Sequence, residues 1–199
     1  MDNHHHSEKP AAIILAAGAS SRMGENKMLK QWRGKPLLCY ALGAAMDAKK
    51  AGLLSFVAAV CGRDARQTAK LLAAADAVVC NADYRRGIAS SLICGLDALP
   101  NACCGVVVFL GDMPCICRAD IAAVITLWQK SDCDIAAAAY QGKRGHPVLL
   151  SARVFNRVRK LSGDAGARAL FDDCDMRLAN AGRGVLTDMD TPEQMKAAF

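Results

Sequence analysis

The sequence predicts an α/β protein, a three-layer arrangement in which a mainly parallel sheet carries helices on both faces. Three observations predict it. Short apolar runs alternate with segments of helical period along the whole chain, the pattern of strands joined through helices by right-handed crossovers. The run Val106-Val107-Val108-Phe109-Leu110 is apolar without alternation, as suits a strand buried on both faces. The 199 residues suffice for one core, and no repeat, low-complexity tract or linker divides them. Residues 11–199 therefore read as a single domain behind a polar lead, residues 1–10.

The elements follow in order. A strand over 12–16 opens the sheet and runs out into small residues. A helix over 36–50 repeats apolar residues at helical spacing and leads to a second strand, 54–60. A helix over 63–75 precedes the third strand, 77–80, and a helix over 88–98 precedes the fourth, 105–110. The helix over 119–130 connects to a strand over 134–140. Beyond it the signals weaken. Short strands at 147–150, 176–179 and 184–187 interleave with helices over 152–161 and 166–172, and Thr191 with Pro192 starts a final turn.

Composition narrows the function classes. No apolar run approaches the ~18 residues that cross a bilayer, and the polar start carries no secretory signal, so no membrane partner is expected. His4, His5 and His6 lie in the lead and take no part in the fold argument. Of ten cysteines, Cys39, Cys61, Cys80 and Cys94 sit inside apolar segments, where thiols pack as small hydrophobes. Cys103-Cys104 and Cys115-x-Cys117 lack the second pair a zinc site needs and also read as packing. A chain of this length needs no disulfide staples, and a reducing, cytoplasmic compartment is expected. The net charge of +6 is spread out, with Arg153, Arg157 and Lys160 forming a solvated helical face. Aromatic residues are not interleaved with basic ones, which argues against nucleic acid and for a small anionic ligand.

Residues 13–27 carry the strongest functional signal. The first strand ends in Leu15-Ala16-Ala17-Gly18, and Arg22 and Lys27 flank Gly24. Gly18 and Gly24 can take φ > 0, while Ala16, Ala17 and Ala19 leave the backbone amides uncovered. Two fixed cations at the far end suit a polyphosphate. The loop is no Walker A motif, because five residues separate the glycines and Glu25 follows, and it lacks the dinucleotide G-x-G-x-x-G. Ligands of such sheets sit beyond the carboxyl ends of the strands. Ala17-Gly18 and Gly111-Asp112 should therefore open onto one cleft. Asp112, in Gly111-Asp112-Met113-Pro114, is placed to hold Mg²⁺ there, or else serves as an ordinary turn or cap residue. Near the C-terminus, Asp188 and Asp190 are expected to face apart. Asp190 is assigned to the metal, with Asp188 outward or behind it.

No Ser/His/Asp or Cys/His constellation is evident, and His146 is the one histidine outside the lead. Hydrolysis through a nucleophilic side chain is poorly supported. Nucleotidyl transfer to a phosphate needs no such group, since a phosphate monoester with its second pKa near ~6 is already a nucleophile at neutral pH. The protein must then supply alignment and charge neutralisation.

On these residues the chain resembles the MobA-like nucleotidyltransferases and, within them, the molybdenum cofactor cytidylyltransferases, over residues 12–198. The resemblance rests on Leu15-Ala-Ala-Gly-x-Ser-x-Arg-Met-Gly-x-x-Lys27, Gly111-Asp-Met-Pro114, Arg144-Gly-His-Pro-Val148, Leu161-Ser-Gly-Asp-Ala-Gly-Ala-Arg168 and Asp188-x-Asp-Thr-Pro-Glu193. It implies a Rossmann-like fold of the nucleotide-diphospho-sugar transferase type, with Mg²⁺ as cofactor. The implied reaction moves CMP from CTP to the phosphate of molybdopterin and releases pyrophosphate. A molybdoenzyme of the xanthine dehydrogenase type, or its maturation factor, is the onward partner. By motif position, Leu15, Ala16, Ala17, Gly18, Met23 and Gly24 contact the nucleotide. Arg22 and Lys27 bind its phosphates and form the catalytic set with Asp112, and Asp112 and Asp190 hold the metal. Asn81, Ser90 and Ser91 resemble a further nucleotide segment, or else cap the helix at 88. Met113, Gly145, His146, Gly163, Asp164 and Arg168 line the acceptor side.

Three points stay open at this level. Preference for CTP over GTP rests on Ala17, where guanylyl-transferring relatives tend to carry Gly, and one methyl discriminates by only about 1–3 kcal/mol. The acceptor could be a sugar phosphate or choline phosphate. A non-catalytic protein that delivers molybdopterin would bind the pterin and no triphosphate.

Overall fold

The computed structural model describes residues 8–18, 26–190 and 194. Seven strands form one sheet. They are β1 (Ala11–Ala16), β4 (Val57–Cys61), β5 (Ala77–Cys80), β6 (Gly105–Leu110), β7 (Ile135–Tyr140), β8 (Lys143–Ser151) and β9 (Met176–Asn180). Their spatial order is β5-β4-β1-β6-β8-β7-β9. All pairings are parallel except the two made by β8, which runs against β6 and β7. A separate two-stranded ribbon, β2 (Gln31–Trp32) with β3 (Lys35–Pro36), lies outside the sheet.

The three layers follow from the period of two in the strands. In β1, Ala12, Ile14 and Ala16 face one core, with α1 (Leu38–Lys50), α2 (Ala65–Leu71) and α4 (Arg118–Ser131) packed over it. Ile13 and Leu15 face the other core, covered by α3 (Ile88–Asp97) and by α5 (Phe155–Val158) with its preceding turn. Strand β6 divides the same way, Val107 and Phe109 against Val106 and Val108. A third, small cluster joins Trp32 and Leu37 to Met189, with Tyr40 and Cys115 against it. All ten cysteines are free thiols. No helix among the described residues is long and apolar enough to cross a membrane.

Three departures from expectation bear on the C-terminal half of the sheet. The weak strand at 147–150 is a nine-residue strand that begins at Lys143. Gln141 and Gly142 both take positive φ, 49° and 76°, so β7 turns back through a tight two-residue connection and β8 enters the sheet antiparallel. Pro147 cannot donate to a ladder, and the β7–β8 register shifts between Ala137 and Ala139 beside it. Second, the strand expected at 184–187 is a 3-10 turn, Arg183–Leu186. The Asp120 carboxylate accepts from the Gly182 amide at 2.8 Å and draws the chain off the sheet after β9. Third, the helices expected at 152–161 and 166–172 shrink to short turns over Ala152–Val158 and Gly166–Leu170. The N-terminal residues 1–7 and the turn expected after Pro192 lie outside the described residues, Gln194 excepted.

Candidate active site

Strands β1 and β6 end side by side, and the Gly111 amide donates to the Leu15 carbonyl at 3.0 Å. The chain beyond β1 runs through Ala17 and Gly18. Arg22, Met23 and Gly24, assigned to the nucleotide from the sequence, lie outside the described residues. The next described residue is Asn26, which the sequence reading passed over. Its buried side chain accepts from the Met28 amide at 3.1 Å and donates to the Arg63 carbonyl at 3.1 Å, pinning the chain at Asn26 to the segment after β4. Lys27 follows, in the first position of a short 3-10 turn.

Lys27 is the centre of the cluster. Its Nζ lies 2.5 Å from Asp112 Oδ2 and 2.5 Å from Asp190 Oδ1. Burial alone would push the ammonium toward deprotonation. The charges and hydrogen bonds of Asp112 and Asp190 outweigh that and hold its pKa above the ordinary lysine value. Asp112 stands where β6 ends, and its carbonyl accepts from the Met189 amide at 3.0 Å, which fixes the C-terminal acids beside it. Its second carboxylate oxygen, Oδ1, is buried without a hydrogen-bond partner among the described residues. A buried anionic oxygen left unpaired costs about 1–3 kcal/mol or more, so this atom is suited to a cation.

Asp188 corrects the expectation that the two C-terminal acids face apart. Residues i and i+2 of an extended segment share a face, and the residue between them, Met189, is the one turned into the protein, fully buried. Burial and then the charges of Asp190 and Asp112 push the Asp188 carboxyl up, while Lys27 opposes them. Three acids therefore act on one another around one lysine. Among the described residues no three His, Cys, Asp or Glu side chains converge closely enough to hold an ion unaided. Two carboxylates together with ligand phosphates and water make the usual Mg²⁺ set, and Asp112 with Asp190 fits it.

The remaining sequence-assigned residues fall into two groups. Leu15, Ala16 and Ala17 are buried, and the Ala17 methyl packs into the core that α3 covers, so it presents no side chain to a base. Asn81, Ser90 and Ser91 do come together. The Asn81 amide donates to Ser90 Oγ at 2.9 Å and Ser91 Oγ at 3.0 Å, and it accepts from the Asp83 amide. Neither serine caps α3, whose first residue follows Gly87 without a side-chain cap. Met113 packs into the core beneath the strand ends. Cys115 joins the small Trp32 cluster, and Cys117 caps α4 in a reciprocal box with Asp120.

Because β8 is antiparallel, its first residues lie at the same edge as Asp112. Val108 pairs with Val148, which carries the register on to His146 beside Leu110. Gly145 is there for packing: a Cβ on it would lie 2.0 Å from the Val185 carbonyl oxygen. His146 is deeply buried with Nδ1 unpartnered among the described residues. Burial lowers its pKa, the Val108 carbonyl and Asp112 raise it, and Arg168 and Arg144 lower it further. The Gly163 carbonyl accepts from the Ala89 amide at 3.1 Å, docking the 163–168 segment on the start of α3 with Asp164 against Gly87. Arg168 belongs to the turn Gly166–Leu170, which Phe171 follows, and the Phe171 ring carries the Arg144 guanidinium at 4.2 Å. Arg144 was quoted within a motif and given no role. The ring contact, invisible in sequence, brings it to the same wall as Arg168.

Over 92% of each chain the protein is 27% identical to the purine catabolism protein PucB of Bacillus subtilis (strain 168). It is 26% identical to the molybdenum cofactor cytidylyltransferase of Escherichia coli (strain K12), covering 94% of this chain and 93% of that one. The crystal structure of Rv0371c from Mycobacterium tuberculosis H37Rv superimposes with a TM-score of 0.79 at 27% identity, covering 95% and 97% of the two chains. Residues 12–180 match the MobA-like NTP transferase domain, and the chain belongs to that family of nucleotidyltransferases.

Proposed function

We propose that this protein transfers the cytidylyl group of CTP to the phosphate of molybdopterin, giving molybdopterin cytosine dinucleotide and pyrophosphate in the cytoplasm. The observation that carries the reading is the Lys27 ammonium shared by Asp112 and Asp190 at the joined ends of β1 and β6. In this reading Leu15 to Gly18, Met23 and Gly24 contact the nucleotide, and Arg22 and Lys27 bind its phosphates. Asp112 and Asp190 hold Mg²⁺, which when bound screens the charge of the triphosphate. His146, Gly163, Asp164 and Arg168 form the acceptor wall, with Arg144 added to it. The acceptor phosphate attacks the α-phosphorus directly, so the side chains need only align two anions and neutralise the charge that develops. The orphaned His146 Nδ1 suits a donor or acceptor on the pterin side.

The base and the acceptor rest on the resemblance to molybdenum cofactor cytidylyltransferases and on the GHP and GDxGxR segments. The burial of the Ala17 methyl favours a second reading for the base, in which the same site takes GTP, since no side chain there reads it directly. Pyrophosphate release from CTP and from GTP, each with molybdopterin, separates the two. Release with neither would end the proposal, and release only with sugar phosphates or choline phosphate would move the acceptor.

A further inference from the structure

Lys27 occupies the place a divalent cation would take. One ammonium lies 2.5 Å from a carboxylate oxygen of Asp112 and 2.5 Å from one of Asp190, and the other Asp112 oxygen is buried beside them without a hydrogen-bond partner among the described residues. Resting on the site reading above, we infer that Lys27 is a built-in stand-in for the metal. It excludes the divalent ion from the nucleotide-free protein and gives up the acids only when a triphosphate arrives.

The argument is one of charge. Two adjacent carboxylates, that of Asp112 largely buried and that of Asp190 partly exposed, repel, and an ammonium between them relieves this without an ion from solution. A divalent cation that enters while Lys27 stays puts like charges within a few ångströms of one another in a half-buried site, where screening is weak. If Lys27 leaves without a new partner, its charge stays partly buried and unpaired. The free protein therefore holds the metal poorly. A triphosphate changes this, because its oxygens give Lys27 a stronger anionic partner and supply further oxygen ligands to the cation. Nucleotide and metal then bind with positive coupling, and the coupling is reciprocal. The protein thus keeps an unliganded cation site closed and assembles it on the substrate.

The test is Mn²⁺ binding followed by electron paramagnetic resonance of the free ion and by water-proton relaxation, which distinguishes protein-bound Mn²⁺–CTP from the complex in bulk solution. Wild type, Lys27→Met and Lys27→Gln are compared without nucleotide, after their melting curves show them folded. The expected result is weak binding to wild type, binding at least tenfold tighter to both variants, and loss of that gain when Asp190→Asn is added. Wild type with CTP should show the relaxation enhancement of a ternary complex. Equal or weaker Mn²⁺ binding by both variants, with the ternary complex still formed by wild type, overturns the stand-in role and leaves the site reading intact. No Mn²⁺ binding by any protein, with or without CTP, overturns both.

Discussion

At the residue scale, the meeting of Lys27, Asp112 and Asp190 was readable because each stands in a short motif that the strand order brings to one edge of the sheet. Lys27 and Asp112 stand in segments whose spacing already pointed to phosphate and metal. Asn26 was not legible, since an Asn between Gly24 and Lys27 reads as a spacer until its two hydrogen bonds are seen. The facing of Asp188 was misjudged for a different reason: residues i and i+2 of an extended segment share a face, and the buried Met189 between the two acids confirms that they do here. Two predictions belong here. Asp112→Asn removes a charge from the proposed cation site and is expected to slow pyrophosphate release by on the order of 10²–10³; an unimpaired variant would remove Asp112 from the proposed mechanism. His146 gives a pH signature. Its native pKa lies below the ordinary value of 6.5, because burial disfavours the imidazolium. Below that ordinary value the unfolded chain takes up a proton that the native protein refuses, so stability falls with pH there and is unaffected above it. Urea unfolding of wild type and His146→Gln between about pH 5 and 7.5 should show a shallower acid slope in the variant. Identical slopes would mean that His146 titrates alike in both states.

At the element scale, the strands buried on both faces were the readable part. Strand β6 was placed at its true limits because five consecutive apolar residues admit little else, and β1 and β7 shift by a single residue. The ribbon Gln31–Trp32 with Lys35–Pro36 was missed, since strands of two residues carry no periodicity. Strand β8 was cut short because Pro147 reads as a breaker, while the register shift in β7 that accommodates it is a property of the pair and not of either strand. That error bears on the site, for the antiparallel course of β8 is what returns His146 to the edge occupied by Asp112. Gly145 tests this arrangement. In Gly145→Ala the new methyl would meet the Val185 carbonyl at 2.0 Å, so β8 or the 183–186 turn must move. The expected cost is about 1–3 kcal/mol of stability, measured by urea unfolding. Because the displaced backbone adjoins His146, KM for the acceptor should rise more than KM for CTP. An equal rise in both would show that β8 serves the whole cleft and not one wall.

At the scale of the whole molecule, two large cores on either face of the sheet hold the strand ends in place, but the acids from the C-terminal segment hang on a third cluster that belongs to neither. Met189 is fully buried against Trp32 and Leu37, and its amide reaches the Asp112 carbonyl at 3.0 Å. Trp32 and Tyr40 pack edge to face at 4.9 Å, and the Tyr40 hydroxyl donates to the Trp32 carbonyl at 2.7 Å, which stiffens the ribbon that receives Met189. The division of labour has a consequence for Met189→Ala. Truncating a buried methionine costs about 2–5 kcal/mol where the surroundings cannot close the gap. Here the loss falls on a small cluster separate from the two large cores, so it should appear as local opening before it appears as global unfolding. Amide hydrogen exchange is expected to speed up at residues 31–37 and 187–190 while β1, β4 and β6 keep their protection. Mn²⁺ affinity in the presence of CTP should fall in parallel, because Asp190 is carried by the segment that opens. If protection drops evenly across the sheet instead, the closing segment folds as one unit with the main cores, and the cation site owes its geometry to the sheet alone.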